Sequence, residues 1–345
     1  MASQPLRARP ALAARSGARL RLAATVALMS AVIVSLGHPA VPLSAAPSGG
    51  SPSAAQSTAA GAAAPAVPAF SSRTDLVVMH AVVRDRHGTP REGLPQSAFR
   101  LFEDGRAREV SLFAHQEEPV TVGVVLDASG SMLGNRARLA YATGRFAAHG
   151  HADDEVFALT VGDRVRSVLP PEQPFTSDAA VLQQALMRKL GSRGRTALWD
   201  GVAEGLRHLA RGSHTRRALV VLTDGHDNHS RTTFDEVLLQ TQASNAAVYV
   251  IGLVDRLEFD RRPKTLRKLA ESSGGAAFFP ESHNDAERAL EDIAREIRSA
   301  YTLGFAPGSG RDGVYHHLQV QVTDPDGHRL DVRTRAGYLA GRTED

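Results

Sequence analysis

The feature that most constrains the fold is an alternation of short apolar segments with amphipathic segments over residues 120–300. Two apolar segments, 121–127 and 217–223, are almost continuous runs of Val, Leu, Ala and Gly, as strands buried on both faces require. Strands that alternate with helices predict an α/β fold, a doubly wound and mostly parallel sheet with helices on both faces. In such sheets, binding sites lie beyond the carboxyl ends of the strands.

The lengths and periodicities of the segments predict where each element begins and ends. The predicted strands are 121–127, 155–161, 217–223, 247–253 and 276–279. The predicted helices are 136–148, 179–189, 198–210, 234–244, 263–273 and 284–300.

Segments rich in β-forming residues flank this region on both sides. The predicted flanking strands are 75–83, 97–104, 109–115, 301–306, 316–322 and 329–335. Asp104-Gly105 is the predicted turn between the second and third of them, and residues 324–327 are another turn. We predict that segments 73–118 and 301–341 pack together as a small β-sandwich-like domain beside an α/β domain of residues 119–300.

The first 46 residues predict export. Residues 1–21 are rich in arginine, and Leu22 to Gly37 form an uncharged apolar run. That run would be about 24 Å long as a helix, which is shorter than a bilayer core of about 30 Å. Small residues at 44–46 complete the features of a secretory signal peptide, and a retained signal anchor is the alternative.

Residues 47–72 are almost all Ala, Pro, Ser and Gly, which predicts a disordered linker because such a segment has little apolar surface to bury. We therefore expect the chain to be periplasmic, secreted or at the cell surface. On this view it contacts a membrane only through an N-terminal anchor that is not cleaved.

Composition excludes several classes of function. The net charge is +3, but five arginines and no acid lie in the first 72 residues, so the basic character does not belong to the folded part. Aromatic residues make up only 5% of the chain, which leaves few side chains for base stacking, and we predict no nucleic-acid partner. The absence of cysteine excludes disulfides, thiolate metal sites and a cysteine nucleophile.

Acidic residues end two of the predicted central strands. Asp127 is followed by Ser129 and Ser131, and Asp224 follows the strand that ends at Thr223. The carboxyl ends of parallel strands meet at one edge of a sheet, so we expect these side chains to converge. Thr196, in a glycine-rich loop before a predicted helix, can add a hydroxyl.

Carboxylate and hydroxyl oxygens are hard ligands that suit Mg²⁺, and also Mn²⁺ or Ca²⁺, and are poor for zinc. So few anionic ligands leave a divalent ion under-neutralised. It can then accept one more oxygen from an Asp or Glu of a protein partner.

Three motifs resemble those of the von Willebrand factor type A domain: D-x-S-x-S from Asp127, G-x-T ending at Thr196, and T-D-G around Asp224. Their order and spacing are also similar. The flanking segments look like those of bacterial type A-related proteins, so the resemblance covers about residues 74–341.

The resemblance implies a metal-ion-dependent adhesion site. In that family, residues at the positions of Asp127, Ser129 and Ser131 bind the ion directly or through water. The residue at the position of Thr196 joins in the ligand-bound state, and the residue at the position of Asp224 binds mostly through water.

Simpler interpretations exist for each of these residues, because Ser, Thr and Asp also favour helix N-caps and turns. Asp200 is either a support for the site or a first-turn helix charge. His226, Asp227 and His229 are expected to shape the rim of the site rather than to bind zinc. Residues 324–327 are either a small calcium loop or a hairpin turn.

We predict an exported module that binds a protein partner through this metal site and catalyses no reaction. The alternative is a scaffold protein whose β domain binds the partner while the metal only stabilises the fold. A third hypothesis is a metal-dependent hydrolase. Phosphoaspartyl phosphatases, however, need a second acid where this chain has Ser129, and no G-x-S-x-G or P-loop motif is present.

Overall fold

The computed structural model describes residues 76–115, 118–132, 136–190, 194–253, 262–308 and 313–340. The predicted signal segment and linker, residues 1–46 and 47–72, lie outside the described residues. Over the described ranges, no helix is both long and apolar enough to cross a membrane.

A six-stranded sheet forms the centre of the α/β part. Its strands are β5 (Val120–Asp127), β6 (Glu155–Val161), β7 (Val165–Ser167), β8 (Arg216–Thr223), β9 (Ala247–Gly252) and β10 (Ala277–Phe278). Their order is β10-β9-β8-β5-β6-β7, and all neighbours are parallel except the antiparallel pair β6 and β7. Every residue of β5 is buried, as its continuous apolar sequence predicts.

Within the described residues, six helices accompany this sheet: α1 (Arg136–Ala148), α2 (Ala179–Lys189), α3 (Leu198–Leu209), α4 (Phe234–Ala243), α5 (Arg262–Ser272) and α6 (His283–Ser299). Side chains of α1 and α6 pack with Val120 and Val122 of β5, whereas α3 lies against Val125, which faces the other way. Helices therefore cover both faces. The predicted bounds of the central strands and helices agree with the observed ones to within one residue at each end.

Helix α3 approaches the sheet unusually closely because two of its residues are glycines. A Cβ atom on Gly201 would lie 2.4 Å from the Val161 side chain, and one on Gly205 would lie 2.8 Å from Leu219. Ala in either position would push the helix outward. The close approach fixes the amino end of α3 near the carboxyl end of β6.

The flanking segments form a second, antiparallel sheet. Its strands are β1 (Val77–Arg84), β2 (Phe99–Glu103), β3 (Arg106–Arg108), β4 (Leu112–Ala114), β11 (Tyr301–Phe305), β12 (Tyr315–Thr323), β13 (Arg329–Thr334) and β14 (Gly337–Leu339). The order is β3-β2-β12-β13-β1-β11-β4, and β14 pairs with β12. Strands that precede the α/β part in the chain and strands that follow it are thus interleaved within one sheet.

This second sheet folds back on itself. The rings of Phe99 on β2 and Tyr301 on β11 lie 4.8 Å apart, although three other strands separate β2 from β11 in the sheet order. Met79, Leu101 and Leu303 are buried in the same core. Seven strands joined along one hydrogen-bonded path, with β14 paired to β12 beside it, therefore enclose a core without dividing into two separate sheets.

One predicted pairing is wrong. Asp104 and Gly105 do form a turn, with φ of 48° and 77°, and two positive φ values suit a two-residue hairpin. The strand that returns from this turn is the short β3, which pairs with β2. The predicted partner, residues 109–115, instead contributes β4, which pairs with β11. The tight turn starts the return strand immediately, so β3 occupies the edge of β2 first.

The amino-terminal edge of the central sheet is closed by buried charged groups. The Asp154 carboxylate accepts hydrogen bonds from the backbone N–H groups of Val120 (3.0 Å) and His151 (2.8 Å) and forms an ion pair of 2.6 Å with Arg298. The buried Arg216 guanidinium donates to carbonyl oxygens at the carboxyl end of α6, among them that of Ala300 at 3.1 Å. These contacts join the end of α6 to the sheet.

Candidate metal centre

The two predicted acids lie on neighbouring strands. β5 and β8 are parallel, with Leu126 opposite Leu222. Asp127 is the last residue of β5 and Asp224 directly follows β8, so both carboxylates lie at the same edge of the sheet. Asp127 is 1% exposed and Asp224 is 8% exposed.

Hydrogen bonds orient the Asp127 carboxylate. Its Oδ1 accepts from the backbone N–H of Ser129 at 2.9 Å, and its Oδ2 accepts from the Thr223 hydroxyl at 3.0 Å. The Thr223 Oγ1 in turn accepts from the backbone N–H of Gly225 at 3.0 Å. Thr223 therefore links the two acid-bearing strand ends, a role that the sequence did not assign to it.

The Asp127 carboxylate carries negative charge in a place where ionisation is unfavourable. Burial raises the pKa of Asp127, and the nearby charge of Asp224 raises it further, while hydrogen bonds from Ser129 and Thr223 act in the opposite direction. Among the described residues, no arginine or lysine forms an ion pair with Asp127. A cation at this edge would remove the unfavourable charge.

The two predicted serines belong to the turn that follows β5. Ser129 is buried, and its carbonyl oxygen accepts from the N–H of Met132 at 3.1 Å. Ser131 lies in the 3-10 turn Gly130–Met132, and only the backbone of Ser131 is described. The turn directs the chain away from the sheet immediately after Asp127.

Asp224 lies in a turn of its own. Its Oδ1 accepts from the backbone N–H of His226 at 3.0 Å and lies 3.2 Å from the His226 Nδ1. Gly225 has a φ of 84°, which allows the chain to reverse direction after Asp224. His226 thus lies at the rim of the acidic pair, as predicted.

Thr196 is held by the loop that follows Asp224. Its backbone N–H donates to the Asn228 Oδ1 at 2.9 Å, and its carbonyl oxygen accepts from the N–H groups of Asn228 and His229, both at 3.0 Å. Thr196 is 2% exposed. Its connection to the acidic pair runs through this loop, and no described hydrogen bond joins it directly to Asp127.

The same two segments are joined further along, and we refer to residues 196–200 with residues 227–232 as the clasp. The Asp227 Oδ1 accepts from the N–H of Leu198 at 2.8 Å and from the Ser230 hydroxyl at 2.5 Å. The Ser230 Oγ accepts from the N–H of Asp200 at 3.1 Å.

The Asp200 carboxylate completes the clasp by accepting from the N–H groups of Arg231 and Thr232. Asp200 and Asp227 therefore support the site through backbone contacts. The sequence left two interpretations of Asp200 open, a support for the site and a first-turn helix charge. The Asp, Asn and Ser residues that follow Asp224 are the sequence feature that could have predicted the clasp.

A third loop fixes the segment before Thr196. The Asp163 Oδ1 accepts from the N–H of Arg195 at 2.6 Å, and the N–H of Ala197 donates to the carbonyl oxygen of Gly162 at 3.0 Å. A Cβ on Gly194 would lie 2.4 Å from the Asp163 carboxylate, so glycine is required for this approach. Sequence reasoning missed Asp163.

Apart from the His226 imidazole at the rim, the side-chain ligands described at this edge are carboxylate and hydroxyl oxygens. Two buried acids, one of them without a basic partner among the described residues, give a net negative site that suits a hard divalent cation. The residues present therefore fit a metal.

A second acidic group lies far along the chain, in the turn between β12 and β13. Ligand atoms of Asp324, Asp326 and His328 lie within 4.8 Å of one another. The Asp324 Oδ1 accepts from the N–H of His328 at 2.7 Å, and Gly327 has a φ of 86°. These contacts are those of a hairpin turn, the second of the two interpretations of residues 324–327.

The chain was compared with known proteins. A family model described as von Willebrand factor type A domain matches residues 122–324. A search of curated protein sequences finds no significant match.

Among solved structures, the chain is similar to the conserved hypothetical protein BatB from Bacteroides thetaiotaomicron, with 19% identity and a TM-score of 0.41 over 52% of this chain and 98% of that chain. It is also similar to the vWF domain of the type V pili tip protein Mfa5 from Porphyromonas gingivalis, with 14% identity and a TM-score of 0.42 over 52% and 95%.

A third similar structure is proximal thread matrix protein 1 from the mussel byssus with a zinc-occupied MIDAS motif. Here the identity is 16% and the TM-score 0.47, over 58% of this chain and 50% of that chain. The chain thus spans half the length of the mussel protein.

Proposed function

Because the chain belongs to the von Willebrand factor type A domain family, we propose that it is an exported protein that binds a protein partner at a divalent-metal adhesion site and catalyses no reaction. The residues that we assign to the site are Asp127, Ser129, Ser131, Thr196 and Asp224. The observation that carries the proposal is the pair of buried acids at the carboxyl ends of the neighbouring strands β5 and β8.

The metal that we propose is Mg²⁺, with Mn²⁺ or Ca²⁺ as alternatives, because the side-chain ligands are oxygens. When bound, the ion supplies positive charge between the carboxylates and an open position for a carboxylate oxygen of the partner. Contacts within the protein orient the proposed ligands before any ion is bound.

The donors to Asp127 hold its carboxylate in one orientation. A carboxylate has about four acceptor positions, and the Ser129 N–H, the Ser129 hydroxyl and the Thr223 hydroxyl use three of them. The fourth is left for a ligand. Ser129 therefore acts on this site through its backbone as well as through the hydroxyl that we assign to the metal.

The clasp holds Thr196 at a fixed height above the sheet edge. Its backbone donor and acceptor are both used by Asn228, so its side chain is the part left to interact with a ligand.

We also propose that residues 1–46 are a signal peptide or signal anchor and that residues 47–72 are a linker. The rest of the chain would then be a central domain at 119–300 with flanking segments 73–118 and 301–341.

Capture of a partner tests the proposal. The full chain is immobilised and exposed to envelope and culture-fluid proteins of its source cells, in Mg²⁺ or in EDTA, beside Asp224→Asn and Thr196→Val. Asp331→Asn on β13 and Thr323→Val on β12, both exposed, serve as matched controls. We expect a partner that binds in Mg²⁺, is released by EDTA, and is lost with both site variants but not with the controls.

Capture that continues in EDTA and survives both site variants would support the scaffold alternative. In that case the curled antiparallel sheet becomes the binding surface, and the metal only stabilises the fold. A partner that is captured only in Mg²⁺ is next examined for an acidic residue whose change to its amide abolishes binding.

A further inference from the structure

A groove of about 480 Å³ runs along one face of α3. The residues that α3 and its last turn contribute lie three or four positions apart, so they share a face: Asp200, Glu204, Arg207, His208 and Arg211. The opposite wall consists of β7 and the loop that contains Pro170, Pro171 and Pro174. Arg231 and Thr232 close one end.

The groove is fixed in shape by its floor. His208 is 5% exposed, its ring lies 4.2 Å from that of Phe157, and its Nε2 lies 3.3 Å from the carbonyl oxygen of Pro174. These contacts tie the proline loop to α3. Burial lowers the pKa of His208, so this side chain is neutral and the charge of the groove comes from other residues.

One end of the groove is part of the clasp. Asp200 lines the groove, and its carboxylate holds the backbone of Arg231 and Thr232 in place. Only four positions earlier, Thr196 is held by the same loop. A chain that leaves the proposed metal site over the clasp therefore enters this groove directly.

The groove has more positive than negative side chains, with three arginines and two acids. Glu204 is paired with Arg207 at 2.6 Å, and Asp200 is used by backbone N–H groups. Within the described parts of the chain, Arg211 and Arg231 form no ion pair, and both are exposed. The metal site is acidic and selects a carboxylate through its ion, whereas this neighbouring groove selects a carboxylate through arginine.

We propose that the partner segment that gives one acidic residue to the metal continues along this groove as an extended chain and places a second acidic residue beside Arg211. This proposal rests on the adhesion site proposed above. From Asp200 to Arg211 the face of α3 is about 16 Å long, which an extended chain covers in about five residues. Because the segment must also span the distance from the metal site to Asp200, the partner motif is two acids separated by at least about five residues.

Short peptides test the groove without knowledge of the partner. The probes are fluorescein-labelled peptides in which Asp and Glu are separated by about four to ten Gly or Ser residues, each matched by a peptide with Gln in place of Glu. Binding to the full chain is measured by fluorescence anisotropy in saturating Mn²⁺. The variant is Arg211→Glu, and the control with the same change in charge is Arg329→Glu, at an exposed position of the second sheet.

We expect the two-acid peptide to bind about fivefold more tightly than its Gln match at one preferred spacing, the gain that an exposed ion pair supplies. That preference should be lost in the groove variant and kept in the control. Equal binding of the Glu and Gln peptides at every spacing, or a preference that survives in the groove variant, overturns the inference.

Calorimetry of Mn²⁺ binding on the same samples separates the two proposals. The groove variant should retain the Mn²⁺ heat of the wild-type chain, because Arg211 belongs neither to the metal site nor to the clasp. A wild-type chain that binds Mn²⁺ but shows no preference for a second acid overturns only the groove. A wild-type chain without Mn²⁺ heat overturns the adhesion site itself.

Discussion

The two edges of the central sheet both bury carboxylates, but they treat them in opposite ways. At the amino-terminal edge, Asp154 has two backbone donors and an arginine, so its charge is fully matched. At the carboxyl-terminal edge, Asp127 has three neutral donors, from the Ser129 N–H and the hydroxyls of Ser129 and Thr223, and a second acid nearby, and burial raises its pKa. The same kind of side chain makes a structural ion pair at one edge, and at the other it has no basic partner among the described residues, which is why we propose it as a metal ligand.

The comparison shows how to distinguish a functional acid from a structural one in this fold. A structural acid is surrounded by donors that use its lone pairs and cancel its charge. An acid that binds a ligand is oriented by a few donors, and its negative charge is not neutralised by a basic residue. Variants at the two edges should therefore change stability in opposite directions.

The largest effect is expected at the amino-terminal edge. Asp154→Ala leaves the Arg298 guanidinium and two buried N–H groups without their acceptor, and it should lower the free energy of unfolding by about 3 kcal/mol. Urea denaturation measures the change. Asp153→Ala, at the exposed neighbouring position, is the control and should stay within about 0.5 kcal/mol of wild type.

A smaller loss is expected in the clasp. Asp227→Ala removes the acceptor for the first N–H group of α3 and for the Ser230 hydroxyl, which should cost about 1–2 kcal/mol. Because the clasp holds Thr196, this variant should also weaken partner binding while Mn²⁺ binding persists. Asp235→Ala, exposed in the first turn of α4, is the matched change, and equal losses in the two variants would remove the special role of the clasp.

The smallest effect has the opposite sign. With EDTA present at pH 7, Asp127→Asn should raise the free energy of unfolding by about 1 kcal/mol, because it removes a buried charge while an amide can still hydrogen-bond. The same variant abolishes stabilisation by Mg²⁺. A marked loss of stability in EDTA would mean that Asp127 is structural, like Asp154.

The pH dependence of the free energy of unfolding follows from the raised pKa of Asp127. A carboxyl whose pKa is raised by folding binds its proton more tightly in the native state, so its contribution to stability is complete below the unfolded pKa and is lost as pH rises through the folded value. The advantage of Asp127→Asn in EDTA should therefore disappear on acidification. Parallel urea titrations of wild type and variant at several pH values measure this difference.

The sequence predicts most of the central fold because its strands are continuous apolar runs that only a doubly covered sheet accommodates. Strands β5 and β8 could be located to within a residue for that reason. The three short strands β3, β7 and β14 were not predicted, since three residues carry no usable periodicity. The partner of residues 109–115 was also wrong, because β11 lies far away in the chain and the local sequence favours the nearest turn.

The candidate site divides in the same manner. The positions of Asp127 and Asp224 at one sheet edge follow from strand polarity alone. The roles of Asp163, Asp227 and Asn228 do not, because each binds backbone N–H groups about thirty residues away in the chain, and such contacts leave no spacing rule in the sequence. Thr223 is an intermediate case. The T-D-G motif that contains it was recognised in the sequence, but its hydrogen bond to Asp127 was not predicted.

The most direct test of the carboxyl-terminal edge is calorimetric titration of the full chain with Mn²⁺, beside Asp127→Asn and the exposed control Asp331→Asn. We predict one saturable site in the wild type and the control, and none in Asp127→Asn. At a free Mn²⁺ concentration of one hundred times Kd, the wild type should gain about 2.7 kcal/mol of stability by mass action. A wild-type chain with no saturable heat, or an Asp127→Asn variant that binds Mn²⁺ as tightly as wild type, would contradict the account.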